Sequence, residues 1–354
     1  MNRWQLFVRL LLFFVLIPFL QACSNEESMK THHWKLQSQA PASSVSFKEL
    51  EKFAQTIEVM SRGRLVIEPY PAGTLAHGPD IFNAVSDNTV QMGNGWPNWW
   101  SGQHPSWSVM NAGPFDFMNL DASMMFFITG EGTNLANELS LPKGVIWRPA
   151  WWAGMEFGLV SKYPITGLDD LKDKKIRIGP GLPSEVLTEA SNSFSIPLVP
   201  EEIHPSLKNG NIDAVEWTTA SGLLELGLQD LVSEAIVPAI WQPSVLSDFL
   251  INQQAYEQLS PDLKAILETA IKSYILTTTL KSKVKDIDAL ETLKDKGMNI
   301  NRWSDDDIDR WKIASDTVTE RYVKLDEFSK RLVEKKQNFK LRYDKYYELF
   351  GTYE

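Results

Sequence analysis

A single cysteine in 354 residues rules out an intramolecular disulfide, so the fold must rest on its apolar core. Histidine is scarce too, and none of the five sits in a His-Glu-x-x-His zinc pattern. Gly-x-Ser-x-Gly, Walker and Gly-x-Gly-x-x-Gly patterns are missing, and no nucleophile–base pairing stands out. These gaps point away from the common enzyme classes. There are no internal repeats and no low-complexity segments. Positive charge is in deficit, with 35 Lys and Arg against 45 Asp and Glu. That balance argues against nucleic acid and against an anionic lipid surface. It leaves an acidic ligand open, because one local arginine outweighs distant screened charge.

The chain begins with an address. Arg3 and Arg9 precede an apolar run from Leu10 to Phe19, and Leu20-Gln21-Ala22 supplies a small-residue processing site. The run is shorter than the roughly 20 residues of a spanning helix. Cys23 follows at once, and Leu20-Gln21-Ala22-Cys23 resembles a bacterial lipobox. The resemblance implies a periplasmic lipoprotein held to the membrane only through lipid on Cys23. The alternative is an ordinary secretory signal with a stray cysteine, but the sole cysteine stands at the one required position. Ser24 leaves the choice of inner or outer membrane open.

The mature part, roughly 330 residues at 43% apolar content, is long enough for two lobes. Strand and helix signals alternate along it, which is the α/β pattern. Ser46-Phe47-Lys48-Glu49 reads as a capping box opening a helix that Gly63 ends. Leu65 to Glu68 and Val90 to Gly93 read as strands, and Pro79 to Ser86 as a helix. From Ile176 to Trp217 the signals spell a βαβαβ unit: strands at 176–178, 197–199 and 212–217, with helices at 183–194 and 201–209. Val245 to Ile251 is a further strand. Ser260-Pro261-Asp262 starts a helix that continues to about Lys296, where Gly297 stops it. Such a helix would span roughly 50 Å and brace both lobes. Ser304 with three following aspartates caps a helical C-terminus.

Two runs carry the most chemistry. Arg177 lies between Ile176 and Ile178, and Glu216 and Trp217 close the run Gly210-Asn211-Ile212-Asp213-Ala214-Val215. Both read as short strands at the position where an open α/β sheet presents ligand groups. An arginine there can grip a carboxylate with two parallel hydrogen bonds. A half-buried strand also places an arginine in water routinely. Glu216 beside a carboxylate ligand must meet a cation or a ligand hydroxyl, or be protonated. Most of the thirteen tryptophans belong in the core, but some can wall a pocket. Asp248 has two readings, cleft or solvent, and strand alternation favours solvent.

Several segments together resemble a known family. They are Tyr70-Pro71-Ala72-Gly73-Thr74-Leu75, Asp80-Ile81-Phe82-Asn83-Ala84-Val85, Ala112-Gly113-Pro114-Phe115, Leu171 to Arg177 and Gly210 to Trp217. Their order and spacing are similar to the solute-binding subunit of tripartite ATP-independent periplasmic (TRAP) transporters, DctP-like, nearest the 2-oxo-acid and monocarboxylate group. The resemblance covers about residues 34 to 350. It implies a two-lobed periplasmic-binding-protein fold, type II-like, with a long helix across both lobes. The implied lobes are 34–154 with 243–280 and 155–242 with 281–310, after a signal peptide (1–22) and tether (23–33) and before C-terminal helices (311–354).

The resemblance also implies a ligand and its site: a small organic acid, a 2-oxo or hydroxy acid, delivered to integral-membrane permease subunits. Arg177 would hold its carboxylate, with Glu216, Trp217, Asn98, Trp99, Trp152, Met155 and Glu156 around it. A metal ion, calcium or sodium, is implied beside the substrate, with Glu216, Trp217 and Gln242 at its ligand positions. Matching the family's further ligands places them at Met155 and Gln242, neither a charged oxygen donor, which leaves the metal undecided. Glu156 would substitute only if the loop shifts. The helices from Trp311 to Phe350 match those through which some relatives form homodimers. Two rival classes remain: a secreted carbohydrate-active hydrolase built on tryptophan platforms and carboxylates, and a sensor or structural lipoprotein that kept the fold.

Overall fold

The computed structural model describes residues 30–351 apart from Ala112 and Met155, so the leader and Cys23 lie outside the described residues. Among the described residues, eleven strands form two sheets. The first contains β1 (His32–Ser38), β2 (Leu65–Tyr70), β3 (Met92–Gly95), β4 (Val145–Gly154) and β10 (Val245–Asn252), in the order β2-β1-β3-β10-β4. The second contains β5 (Leu159–Ser161), β6 (Lys175–Arg177), β7 (Phe194–Ile196), β8 (Ala214–Glu216), β9 (Glu234–Val237) and β11 (Asn299–Arg302), in the order β11-β9-β5-β8-β6-β7. β6 lies between β7 and β8, parallel to both, which is the expected βαβαβ unit. The chain crosses between sheets twice near the site, from β4 to β5 and from β9 to β10. Those two crossings carry Glu156 and Gln242.

The long helix runs Pro261–Asp295, close to its expected bounds, with Ser260 before it, proline in the first turn and Gly297 beyond it at φ 83°. It packs on the helix Val45–Ser61 and on β4 in the first lobe, and on the helix Ala220–Glu225 in the second. Tyr274 donates its hydroxyl proton to the Ser46 carbonyl (2.9 Å), and the Trp152 amide donates to Thr279 Oγ1 (3.1 Å). One element therefore registers both lobes. Two further helices, Asp305–Leu325 and Glu327–Phe350, end the fold. Ser304 caps the first of them by accepting from the Asp307 amide at 3.1 Å. Among the described residues, no helix is long and apolar enough to cross a membrane.

Several expectations shift. Ser44, not Ser46, is the cap of the first helix, accepting from the Phe47 amide at 3.1 Å while Ser46 bonds to Ser44. The middle strand of the βαβαβ unit is Phe194–Ile196 rather than 197–199, because Pro197 has no N–H to give a ladder. The ten-residue β4 escapes a period-2 reading, since it is buried along nearly its whole length and contains Pro149. That proline is tolerated because it faces Asp248 next to a register shift in β10.

Asp248 corrects the reading that favoured solvent. β10 is a central strand buried at every position, so neither of its faces meets water, and Asp248 is completely buried. Its Oδ2 accepts from the indoles of Trp100 (2.8 Å) and Trp147 (2.7 Å). Burial nevertheless pushes this carboxyl up to about 7, against the pull of both donors.

Candidate functional site

β6 and β8 run parallel with Arg177 opposite Val215, so Arg177 and Glu216 leave the sheet side by side at the carboxyl ends of their strands. This is where open α/β sheets bind ligands. Both side chains are about 97% buried, and Arg177 Nη1 donates to Glu216 Oε2 at 2.9 Å. The same nitrogen donates to the Glu216 carbonyl at 2.6 Å, while Nε and Nη2 each donate to the Leu198 carbonyl at 3.1 Å. Four of the five guanidinium N–H groups are thus held by protein oxygens, leaving one on Nη2. The Trp217 indole lies under the guanidinium at 4.9 Å, a cation–π contact in a dry setting. Gly179 N donates to Glu216 Oε2 at 3.3 Å, so the carboxylate is held by the end of β6 and by the loop just beyond it.

These groups face a cavity between the two sheets. The first lobe supplies its opposite wall through Ser38, Gln39, Trp96, Asn98 and Trp99, and the crossings add Glu156 and Gln242. Asn98 Nδ2 donates to the Pro180 carbonyl at 2.8 Å, a bond that ties the first-lobe loop to the second lobe. Three buried polar atoms around this space have no partner: Asn98 Oδ1, Gln39 Nε2 and Glu156 Oε2. Buried polar groups are rarely left unpaired, and those that are need a reason. A bound ligand supplies one.

Electrostatics sharpen the picture. Burial lowers the Arg177 pKa, and the charges of Glu216 and Glu156 pull it back up. Glu156 is raised well above the ordinary glutamate value, first by burial and then by repulsion from Glu216. One guanidinium therefore faces two carboxyl groups.

Of the residues singled out from the sequence, Arg177, Glu216, Trp217, Asn98, Trp99, Glu156 and Gln242 all line this cavity. Trp152 does not. Successive side chains of a strand point to opposite faces, and Trp152 turns into the first-lobe core, where its indole donates to Ser123 at 2.9 Å. Its neighbour Trp151 faces the cleft side and meets Trp96 edge to face at 5.6 Å. Met155 lies outside the described residues. Sequence reading missed Ser38, the last residue of an unremarked first strand, and Gln39 just beyond it, neither of which carries a motif.

The donor set bears on the implied metal. Glu156, Glu216 and Gln242, which carry side-chain oxygens, all line this one space. All are hard oxygen donors of the kind calcium and sodium take. The unpartnered Glu156 Oε2 and the surplus of carboxylate over guanidinium both fit a cation. Among the described residues, no three His, Cys, Asp or Glu side chains cluster, so the fit depends on amide, carbonyl and ligand oxygens as well.

Two α/β lobes, a bracing helix and an enclosed, partly charged cavity between them define a bilobal solute-binding protein. The chain belongs to the bacterial extracellular solute-binding proteins, family 7 (DctP), whose pattern it matches over residues 36–325. It is 27% identical over 317 residues to a monocarboxylate 2-oxoacid-binding periplasmic protein of Nostoc sp., covering 90% of this chain and 86% of that one. Its fold is similar to a TRAP transporter solute-binding protein of Bordetella bronchiseptica with calcium and picolinate, at TM-score 0.86, 19% identity and coverage of 90% and 95%. It is similar also to one of Pseudoalteromonas atlantica with sodium and pyruvate, at TM-score 0.85, 23% identity and coverage of 90% and 97%. The family is the one the sequence resemblance pointed to, and it is a family of receptors.

Proposed function

We propose that this protein captures a small organic acid in the interlobe cavity and hands it to TRAP-type permease subunits in the membrane. One observation carries the reading: a guanidinium about 97% buried, with one N–H still free, lies on an aromatic-walled cavity that holds unpartnered polar atoms. The ligand carboxylate meets Arg177 through Nη2, and through Nη1 as well once Glu216 Oε2 yields its place. Trp99 and Trp217 exclude water, and Asn98 Oδ1 accepts from a ligand hydroxyl. Closing the lobes brings the Asn98 wall onto the Arg177 wall, which shifts an open–closed equilibrium toward the bound form. Nothing in this scheme makes or breaks a covalent bond.

Glu156, Glu216 and Gln242 would hold a cation, which would balance the negative charge brought by the ligand. With the ligand present, three carboxylates face one guanidinium, so a divalent ion suits the site better than none. A thermal-shift panel of 2-oxo acids, hydroxy acids, neutral sugars and esters, each with and without calcium, tests both points. An acid at 100 times its Kd should stabilise the protein by about 2.7 kcal/mol. Calcium should add to the shift in the wild type and add much less in Glu156→Gln. A shift from neutral sugars alone would sink the acid reading, and turnover of a sugar or ester would favour a hydrolase.

Delivery and anchoring complete the proposal. Vesicles carrying the permease should take up labelled acid only when this protein is added. Cys23 is the anchor on this reading, supported by Leu20-Gln21-Ala22 before it. Palmitate label should enter the wild type and not Cys23→Ala.

A further inference from the structure

The bracing helix packs on both lobes, so the face it turns to water should be polar. It carries instead Leu276, Leu280, Val284 and Ile287, each more than half exposed. Their spacing puts them on one stripe of about 16 Å, three turns long. Single exposed leucines are ordinary, whereas an aligned row of them marks a contact surface. The middle of the stripe borders a groove against the helix Val45–Ser61. Leu280 and Val284 line one side, and the buried Val45 contributes from beneath. Lysines stand on both rims, Lys48 and Lys52 on one helix and Lys281 and Lys285 on the other. Among the lining residues Glu49 is the one carboxylate, and Lys52 (2.7 Å) and Lys281 (2.9 Å) already hold it. Lys48 and Lys285 make no ion pair among the described residues and act on Glu225 only from a distance. A chain with 35 basic against 45 acidic residues thus turns a basic, apolar strip outward here.

We infer that this groove docks an acidic amphipathic helix of a partner protein. The partner's apolar side lies on Leu280 and Val284, and its carboxylates meet the lysine rims. A second copy of this chain fits worse. A twofold interface sets the same patch against itself and would oppose lysine to lysine. A bilayer surface would touch the protruding Leu276 and Ile287 but not Val45, which is 7% exposed. The ridge of a helix does enter the furrow between two others, as in ordinary helix packing. The position adds meaning to the contact. Val45 also lines the crevice between the lobes, where its amide donates to Glu225 Oε1 of the second lobe at 3.1 Å. A helix seated here therefore lies beside the line where the two lobes meet, away from Arg177.

The probe is a lactam-bridged helical peptide with leucines along one face and glutamates beside them, titrated into the mature protein by fluorescence anisotropy. The control peptide carries lysines in place of the glutamates. The glutamate peptide should bind at least tenfold tighter than the control, and added salt should narrow the gap. Leu280→Asp should cut its affinity at least tenfold. Lys48→Glu combined with Lys285→Glu should weaken it similarly and reverse the preference between the two peptides. All three positions are exposed, so melting temperatures should stay near that of the wild type. If Leu280→Asp fails to fold, the charge-reversed variant decides alone. Equal binding of the two peptides, binding by neither, or undiminished binding in the variants overturns the inference. So does self-association in sedimentation, or adhesion to phosphatidylglycerol vesicles, that Leu280→Asp abolishes.

Discussion

Arg177→Met should abolish binding of carboxylate ligands and lower stability by about 3–5 kcal/mol, the usual loss when one member of a buried ion pair is removed. The reason lies in the hydrogen bonds already formed. Arg177 holds the Leu198 carbonyl at 3.1 Å and the Glu216 carbonyl at 2.6 Å, which staples the ends of β6, β7 and β8 together. It also balances the carboxylate of Glu216 at 2.9 Å, which would otherwise lie buried and unpaired. Arg177→Lys keeps the charge and separates the two roles. A lysine has three donors on a flexible stem and no planar fork, so it cannot repeat the four bonds at their present geometry. Stability should fall less than in Arg177→Met, while affinity for a carboxylate should still drop at least tenfold. Urea unfolding and calorimetric titration of the two variants check this. Unchanged affinity in Arg177→Lys would show that the guanidinium does not touch the ligand.

Asp248→Asn should stabilise the protein at neutral and alkaline pH. The buried carboxyl titrates at about 7 in the folded chain against 3.8 for the ordinary residue. Its folded value is raised, so between those pH values the folded state binds more protons than the unfolded state. Stability from this group is therefore full below about pH 4 and is lost as pH rises toward 7. At about 1.4 kcal/mol per pKa unit, the total loss is on the order of 4 kcal/mol. Asparagine keeps an oxygen to accept from Trp100 and Trp147 and removes the charge. Urea midpoints of the variant should exceed those of the wild type at pH 8 and converge with them near pH 4. Equal slopes of stability against pH in both proteins would contradict the assignment.

Why the carboxyl group survives there is partly a matter of position. Asp248 pairs with Gly95 across β3, and the chain leaves β3 toward Trp96, Asn98 and Trp99 on the cavity wall. The indole of Trp100, in the same short turn, is fastened by Asp248 at 2.8 Å. The group thus orients the loop that carries the first-lobe wall of the site.

Local patterns made much of this architecture readable. Proline, acid and serine marked the start of the long helix, and a glycine beyond its end marked the stop. The βαβαβ unit followed from hydrophobic runs separated by glycine and charge, and it put Arg177 and Glu216 on neighbouring strands. What could not be read was set by distant partners. Asp248 looked solvated because alternation describes a strand with one wet face, and β10 has none. Trp152 looked like a pocket residue because it neighbours the crossing, yet the pleat sends Trp151 toward the cleft and Trp152 into the core. Glu156 reached the cavity where a one-residue difference in matching had favoured Met155. Gln39 and Ser38 carry no local signal, since only the pairing of β1 with β3 brings them to the site. The orientation of the Arg177 fork toward Leu198 and Glu216 was likewise invisible, because it depends on carbonyls from the loop after β7 and from β8.

The central claim is that a carboxylate, and not merely a small polar molecule, enters the cavity beside Arg177. Titrating the protein with an acid that shifts its melting point, and in parallel with the methyl ester of that acid, tests this most directly. The account predicts saturable binding of the acid and a loss of at least a hundredfold for the ester. Equal affinity for the two would contradict it.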